Sequence, residues 1–126
     1  MHLAVIGSRH FADYAFLAAT LDGLQVAGLL PVISTIVSGG ARGADALAAR
    51  YARERGLPLV EFTPDYARYG RRAPLVRNQL IVDAAEALVA FHDGLSRGTR
   101  HALRQTRRRG LKPIVVRIPD AEGLPE

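Results

Sequence analysis

The sequence is short of several residue types, and each absence narrows what the protein can be. Its 126 residues include no cysteine and no tryptophan, so disulfides and cysteine metal ligands are excluded. No apolar run approaches the ~20 residues of a membrane span, which predicts no membrane partner. The opening segment lacks a basic stretch and a plausible cleavage site, so we expect a first strand there rather than a signal peptide, and a cytoplasmic location by default.

Lysine is nearly absent as well, although the chain is basic. Lys112 is the single lysine among 17 basic residues, which face 12 acidic ones and give a net charge of +5. The planar guanidinium of arginine suits phosphate recognition better than the ammonium of lysine does. A GC-rich genome also favours arginine over lysine. The composition is therefore consistent with an anionic ligand and equally with an ordinary solvated surface.

Apolar runs alternate with helical patterns along the chain. Strands are predicted over residues 3–6, 32–37, 59–62, 87–91 and 114–118, and helices over 11–30, 44–56, from Pro74 onward and up to about Arg109. Continuous apolar strands that alternate with helices are typical of a parallel sheet covered on both faces. We predict one α/β, Rossmann-like three-layer domain over residues 1–118, with a five-stranded sheet in the order 3-2-1-4-5, and a loose tail over 119–126.

Three predicted turns are rich in glycine, and each contains a serine and an arginine. In the predicted order they leave neighbouring strands where the strand order reverses, which is where such sheets bind ligands. Helix N-termini, hydroxyl groups and arginines meeting there would bind an anion. The alternative is that these turns use glycine for close packing of helix against strand. The turns are Gly7-Ser8-Arg9, Ser38-Gly39-Gly40-Ala41-Arg42-Gly43 and Asp93-Gly94-Leu95-Ser96-Arg97-Gly98-Thr99.

Standard nucleotide-binding motifs are incomplete here, but a family likeness is present. G-x-x-x-x-G-K-[ST] and an early G-x-G-x-x-G are both absent, which disfavours a Walker-type NTPase and an ordinary NAD dehydrogenase. Four segments, in order VIGSR, SGGARGAD, APLVRNQLIVDAAEALVAF and DGLSRGTRHAL, resemble the SLOG superfamily. This Rossmann-like group unites the DNA-processing protein Smf/DprA with the LOG phosphoribohydrolases. The likeness is greatest to its small YspA/YpsA-like members.

The resemblance implies a nucleotide or nucleotide-derived ligand in the crevice, no required cofactor, and a homodimer. LOG enzymes carry P-G-G-x-G-T-x-x-E and an arginine on the preceding helix. Arg77 matches that arginine and Gly98-Thr99 match the G-T, but the glutamate position falls on Ala102. Carboxylates carry the chemistry of glycosidic cleavage, so a hydrolase would need Asp45 or Asp93 as a replacement. Ligand binding, as in a sensor, is the first hypothesis, a LOG-like hydrolase the second, and Smf/DprA-like DNA binding the third.

Individual side chains have an ordinary interpretation beside the functional one. Asp45 would complement a helix dipole or accept a ligand hydroxyl. Arg77, followed by Asn78, would contact phosphate or lie solvated on the surface. Asp93 would serve chemistry or cap its own turn. The predicted ligand-binding residues are Gly7, Ser8, Arg9, Ser38, Gly39, Gly40, Arg42, Gly43, Asp45, Arg77, Asn78, Asp93, Gly94, Ser96, Gly98 and Thr99.

A run of basic residues falls on one side of the last predicted helix. A solvated face is the usual explanation, and contact with nucleic acid phosphates is the alternative. We expect His101 to face outward with these arginines. Tyr66 and Tyr69, in a separate loop, could stack on a base in the crevice. The remaining histidines show no ligand spacing, so no metal is predicted. The residues of the basic face are Arg97, Arg100, His101, Arg104, Arg107 and Arg108.

Overall fold

The sheet has the predicted strand order. In the computed structural model, which describes residues 1–120, five parallel strands are arranged β3-β2-β1-β4-β5. The predicted Rossmann-like α/β class is therefore confirmed, while most of the predicted tail, residues 121–126, lies outside the described residues. The strands are β1 (His2–Gly7), β2 (Thr35–Ser38), β3 (Leu59–Glu61), β4 (Ala87–His92) and β5 (Ile114–Arg117).

Helices cover both faces of this sheet. The first begins later than predicted because the Asp13 side chain accepts a hydrogen bond from Phe16 N at 3.0 Å and caps it there. Pro74 lies in the first turn of its helix, a position that proline favours. The helices are α1 (Tyr14–Val26), α2 (Ala44–Glu54), α3 (Tyr66–Tyr69), α4 (Ala73–Ala84) and α5 (Arg97–Arg108), with a short 3-10 turn at Gly70–Arg72.

Alternate residues of the central strands enter two separate cores. On β1, Leu3 and Val5 pack with α1 and α2, whereas Ala4 and Ile6 pack with α4 and α5. Each of these strands is apolar on both faces for this reason. A sheet covered by helices on both sides therefore has strands whose sequences are continuous apolar runs. In the described part of the chain, no helix is long and apolar enough to cross a membrane.

Very close backbone packing joins the end of β1 to the start of α2. Gly43 has a φ of +74°, and a Cβ atom at this position would lie 2.2 Å from the Ser8 carbonyl oxygen. That same oxygen accepts a hydrogen bond from Ala44 N at 3.2 Å. A Cβ at Gly7 would lie 2.3 Å from the Phe91 carbonyl oxygen. Close packing, the alternative that the sequence left open, therefore explains these two glycines.

Replacement of Gly43 by alanine tests this packing. Both Gly43→Ala and Gly56→Ala force alanine into a left-handed conformation, since Gly56 has a φ of +65° with open space around it. Only Gly43→Ala also creates a backbone clash, so we expect it to lower the free energy of unfolding by about 2 kcal/mol more than Gly56→Ala does. Urea denaturation measures both, and equal losses would contradict the clash.

Candidate functional site

A cavity of about 460 Å³ opens at the carboxyl edge of the sheet, where the end of β1 faces α4 and the start of α5. Residues of all three glycine-rich turns line it, together with residues of α4. The predicted site residues that line it are Gly7, Arg9, Arg42, Asp45, Arg77, Asn78, Ser96, Gly98 and Thr99. The other lining residues, which were not in the predicted set, are Ile6, His10, Ala41, Ile81, Arg97 and Ala102.

The remaining predicted residues do not line the cavity. They are Ser8, Ser38, Gly39, Gly40, Gly43, Asp93 and Gly94. Gly39 makes room for charged groups, because a Cβ there would lie 2.7 Å from Arg77 Nη1 and 2.9 Å from Asp45 Oδ2. Gly94 likewise leaves space for the Arg117 guanidinium. Gly39 and Gly94 therefore make room for charged side chains near the cavity.

The side chain of Asp93 forms hydrogen bonds within its own turn. Its Oδ1 accepts hydrogen bonds from Leu95 N at 2.8 Å, Ser96 N at 2.9 Å and Ser96 Oγ at 3.0 Å. Burial opposes ionisation of this carboxyl group, but the hydrogen bonds from Leu95, Ser96 and Ser8 outweigh burial and lower its pKa to about 2. A carboxylate so acidic, with one oxygen bonded three times within its turn, is suited to capping the turn and poorly suited to exchanging protons near neutral pH.

Arg77 is buried, with 8% of its surface exposed, so the interpretation as a solvated surface arginine is wrong. Its Nη1 donates to the Gly39 carbonyl oxygen at 2.7 Å and its Nε donates to Asn78 Oδ1 at 3.1 Å. Neither bond uses Nη2. Burial lowers the pKa of Arg77, the charge of Asp45 raises it, and guanidinium remains protonated under any ordinary condition. The cavity thus contains a cation whose orientation is set before any ligand binds.

Asp45 lines the cavity from the first turn of α2. Its Oδ2 accepts a hydrogen bond from Ala41 N at 3.1 Å and so closes the β2 turn. Burial raises the pKa of Asp45, against the Ala41 bond and the charge of Arg77, which lower it. Of the described residues that line the cavity, Asp45 is the one with a carboxylate. It is therefore placed to accept a hydrogen bond from a ligand hydroxyl.

His101 does not face outward as predicted. Its Nδ1 lies 3.1 Å from Asn78 Nδ2, which also donates to the Gly98 carbonyl oxygen at 3.3 Å. Burial, followed by the charges of Arg104 and Arg108, lowers the pKa of His101. The prediction was wrong because α5 packs against α4, so position 101 falls at the edge of the buried face instead of in solvent. The ring supports Asn78, and through it Arg77.

The arginines of α5 lie exposed beside the cavity. Arg97 lines it, and Arg100 Nη2 donates to the Gly94 carbonyl oxygen at 2.6 Å. Arg104, Arg107 and Arg108 continue the exposed row away from the cavity. Tyr66 and Tyr69 are also exposed and are absent from the lining. Among the described residues, no three His, Asp or Glu side chains are grouped to hold a metal ion, and the absence of a metal stays a prediction.

Three lining residues outside the predicted set had a signal in the sequence: His10, Arg97 and Ala102. His10 directly follows the first glycine-rich turn, and Arg97 lies inside the third one, so sequence position alone marks both. Ala102 was identified only as the place of a missing glutamate. It lies in the cavity wall and is 2% exposed.

Comparison with known proteins supports the sequence resemblance. A family model described as "YspA, cpYpsA-related SLOG family" matches residues 1–69. The Gene 61 protein of Mycobacterium phage D29 is 35% identical over 86 residues, which cover 64% of this chain and 68% of that protein. The predicted resemblance to SLOG proteins is confirmed.

Two solved structures share the fold at low sequence identity. DNA processing protein A (DprA) from Streptococcus pneumoniae superposes with a TM-score of 0.69 and 18% identity, covering 98% of this chain and 52% of that one. DprA from Helicobacter pylori, described for its single-stranded DNA binding mode, superposes with a TM-score of 0.67 and 20% identity. That superposition covers 91% of this chain and 64% of that one. This chain thus spans between about half and two thirds of these proteins.

The burial of His101, together with the charges of Arg104 and Arg108, makes stability depend on pH. A histidine with a lowered pKa binds fewer protons in the folded chain than in the unfolded one, so the free energy of unfolding falls as pH drops below the ordinary histidine value of about 6.5. His92 adds to this fall because burial lowers its pKa too. Asparagine at position 101 keeps an acceptor near Asn78 but does not titrate.

We therefore expect His101→Asn to show a shallower loss of unfolding free energy between pH 7.5 and pH 5 than the parent chain. Chemical denaturation at several pH values measures the slope. Leu80→Ala, at an exposed residue of α4 without a titratable group, is the control and should leave the slope unchanged. An identical slope in His101→Asn and the parent would show that the ring does not titrate as its surroundings imply.

Proposed function

The chain belongs to the YspA, cpYpsA-related SLOG family, and we propose that its cavity binds the phosphate of a nucleotide or nucleotide-derived ligand. The observation that carries this proposal is Arg77, a buried cation that lines the cavity. No carboxylate of the described residues lies within ion-pair distance of it. The hydrogen bonds of Arg77 go to neutral oxygens, and the charge of Asp45 acts on it only from beyond ion-pair distance. A buried cation without a directly contacting anion is costly, and a bound phosphate would supply that contact.

The rest of the cavity wall is suited to the same ligand. Arg9, Arg42 and Arg97 line it with exposed side chains, against the single carboxylate of Asp45. The N-terminus of α5 contributes Gly98 and Thr99 to the wall, and within residues 1–120 no side chain caps that helix. Unpaired backbone N–H groups at a helix start attract anions. Nothing lies within 4 Å of a Cβ built at Gly98, so the backbone there is open to a ligand.

The wall favours binding over hydrolysis. Ala102 stands where LOG-like enzymes have a glutamate, and it faces the cavity without any group that accepts or donates a proton. Asp93 is bonded within its turn. Asp45, already bonded to Ala41 N, is suited to holding a ribose hydroxyl. Binding without turnover is the behaviour of a sensor module.

Removal of the buried guanidinium tests the proposal. We expect Arg77→Ala to bind AMP at least about tenfold more weakly than the parent, because a charge-assisted hydrogen bond to phosphate contributes about 1.5–3 kcal/mol. Arg77→Lys should recover part of the affinity, since it restores charge but not the planar fork. Isothermal titration calorimetry measures AMP and ribose 5-phosphate separately.

Arg53→Ala is the matched control, because it removes one exposed arginine from α2 outside the cavity. Thermal melting of each variant separates lost binding from lost folding. Unchanged affinity in a folded Arg77→Ala variant would contradict the phosphate site. Release of free adenine from AMP that disappears in Asp45→Asn would contradict binding without turnover.

Single-stranded DNA is the second candidate ligand, and the exposed arginine row of α5 favours it. The row begins at Arg97 in the cavity wall and continues through Arg100, Arg104 and Arg108. Such a row would neutralise successive phosphates of a strand whose end entered the cavity. H. pylori DprA, which shares the fold, is described for a single-stranded DNA binding mode.

Salt dependence distinguishes this candidate from a mononucleotide. If DNA binds along α5, replacing Arg100, Arg104 and Arg108 together by alanine should make the plot of log affinity for oligo(dT) against log salt less steep. Each lost phosphate contact reduces the magnitude of the slope by ~0.7, which gives a total reduction of about 2. Fluorescence anisotropy measures the slope, and AMP affinity should stay unchanged. Failure of the parent chain to bind oligo(dT) at low salt would eliminate the candidate.

A further inference from the structure

A second cavity, of about 560 Å³, adjoins the first and has a different character. His10 lines both cavities, so the two cavities meet at this residue. Arginines dominate the first cavity, whereas phenylalanine side chains supply much of the second. The second cavity is lined by His10, Phe11, Ala12, Asp13, Phe16, Arg117, Ile118 and Pro119.

The aromatic wall is held by the core of the protein. Phe11 stacks on Phe91 of β4 with ring centroids 5.3 Å apart and planes 14° apart, and both rings are buried. Phe16 meets each of them edge to face, at 6.3 Å and 6.2 Å. Phe16 itself is 41% exposed, so part of its ring is open to a ligand. The cavity therefore presents an aromatic surface on a rigid support.

The side chain of His10, where the two cavities meet, is also held in place. His10 Nε2 lies 3.0 Å from the Pro119 carbonyl oxygen, and its Nδ1 lies 3.7 Å from Asp93 Oδ2. Contacts on both sides hold the ring between the cavities. A ligand that reaches past His10 therefore meets arginines on one side and phenylalanines on the other.

We propose that the second cavity is the subsite for the flat heteroaromatic ring of the ligand whose phosphate binds beside Arg77. This assignment rests on the proposed function and narrows it to a purine or pyrimidine nucleotide, as opposed to a sugar phosphate. Bases have a polarisable face that stacks on aromatic side chains, and pockets of this volume commonly hold small ligands. Arg117, across the cavity from α1, adds a planar cation that stacks on such rings.

The assignment differs from stacking on Tyr66 or Tyr69. Neither tyrosine lines either cavity, although both are exposed at the same edge of the sheet. Phe16 lies on α1, whose first turn follows the β1 turn directly. The ring subsite is thus on the β1 side of the phosphate site instead of the α3 side.

A comparison of AMP with ribose 5-phosphate tests the subsite, because the two ligands differ by the base. We expect Phe16→Ala to weaken AMP binding about tenfold and to leave ribose 5-phosphate unchanged. Ala12→Trp should have the same selective effect by filling the cavity without removing any ring from it. Leu80→Ala, at a comparably exposed apolar residue of α4 outside both cavities, should change neither affinity.

The failure of this inference is distinguishable from the failure of the phosphate site. If Arg77→Ala weakens both ligands but Phe16→Ala and Ala12→Trp leave AMP binding intact, the ring subsite is wrong and the phosphate site stands. If Arg77→Ala changes neither ligand, the phosphate site itself is wrong. A selective loss of AMP in Tyr66→Ala, with Phe16→Ala unaffected, would place the base beside α3 and overturn the assignment.

Discussion

Ser8 joins the three turns on which the site depends. It is fully buried, its N–H donates to the Phe91 carbonyl oxygen at 3.0 Å, and its own carbonyl accepts from Ala44 N at 3.2 Å. Its hydroxyl accepts from Asp93 N at 3.2 Å and lies 3.0 Å from Ser96 Oγ. One small residue thereby connects β1 to α2 and to the turn before α5. Because Ser8 is fully buried among these backbone groups, its small size suits the position.

The joined turns make it possible to bury charge at the sheet edge. Arg77 reaches across from α4 to the Gly39 carbonyl, and Asp45 reaches back to Ala41 N, so both ionisable groups are held by backbone atoms. Gly39 is the residue that leaves space for both. Interior charges of this kind are expensive to maintain, and a site that binds charged ligands is a physical reason to retain them. Asn78 and His101 extend the same network to α5.

Much of the fold could be predicted from the sequence, but the structural role of individual residues in the turns and helices could not. Continuous apolar strands implied a doubly covered sheet, and the crossovers implied its order. Glycines were ambiguous, since Gly7 and Gly43 serve backbone packing whereas Gly98 leaves open space beside the cavity. Asp93 was a candidate for chemistry by its place after a strand, and its bonds show a cap. His101 was misplaced because the contact between α4 and α5 has no signature in a single sequence.

The sequence by itself determined the strand order, the edge of the sheet at which the cavity lies and the SLOG family, because these follow from periodicity, glycine spacing and motifs that are local along the chain. Tertiary structure alone decided which side chains face the cavity, because facing depends on how helices rotate against the sheet and against each other. The same packing brought His10 between an arginine-lined cavity and an aromatic one. That juxtaposition joins residues from both ends of the chain, and no local pattern encodes it.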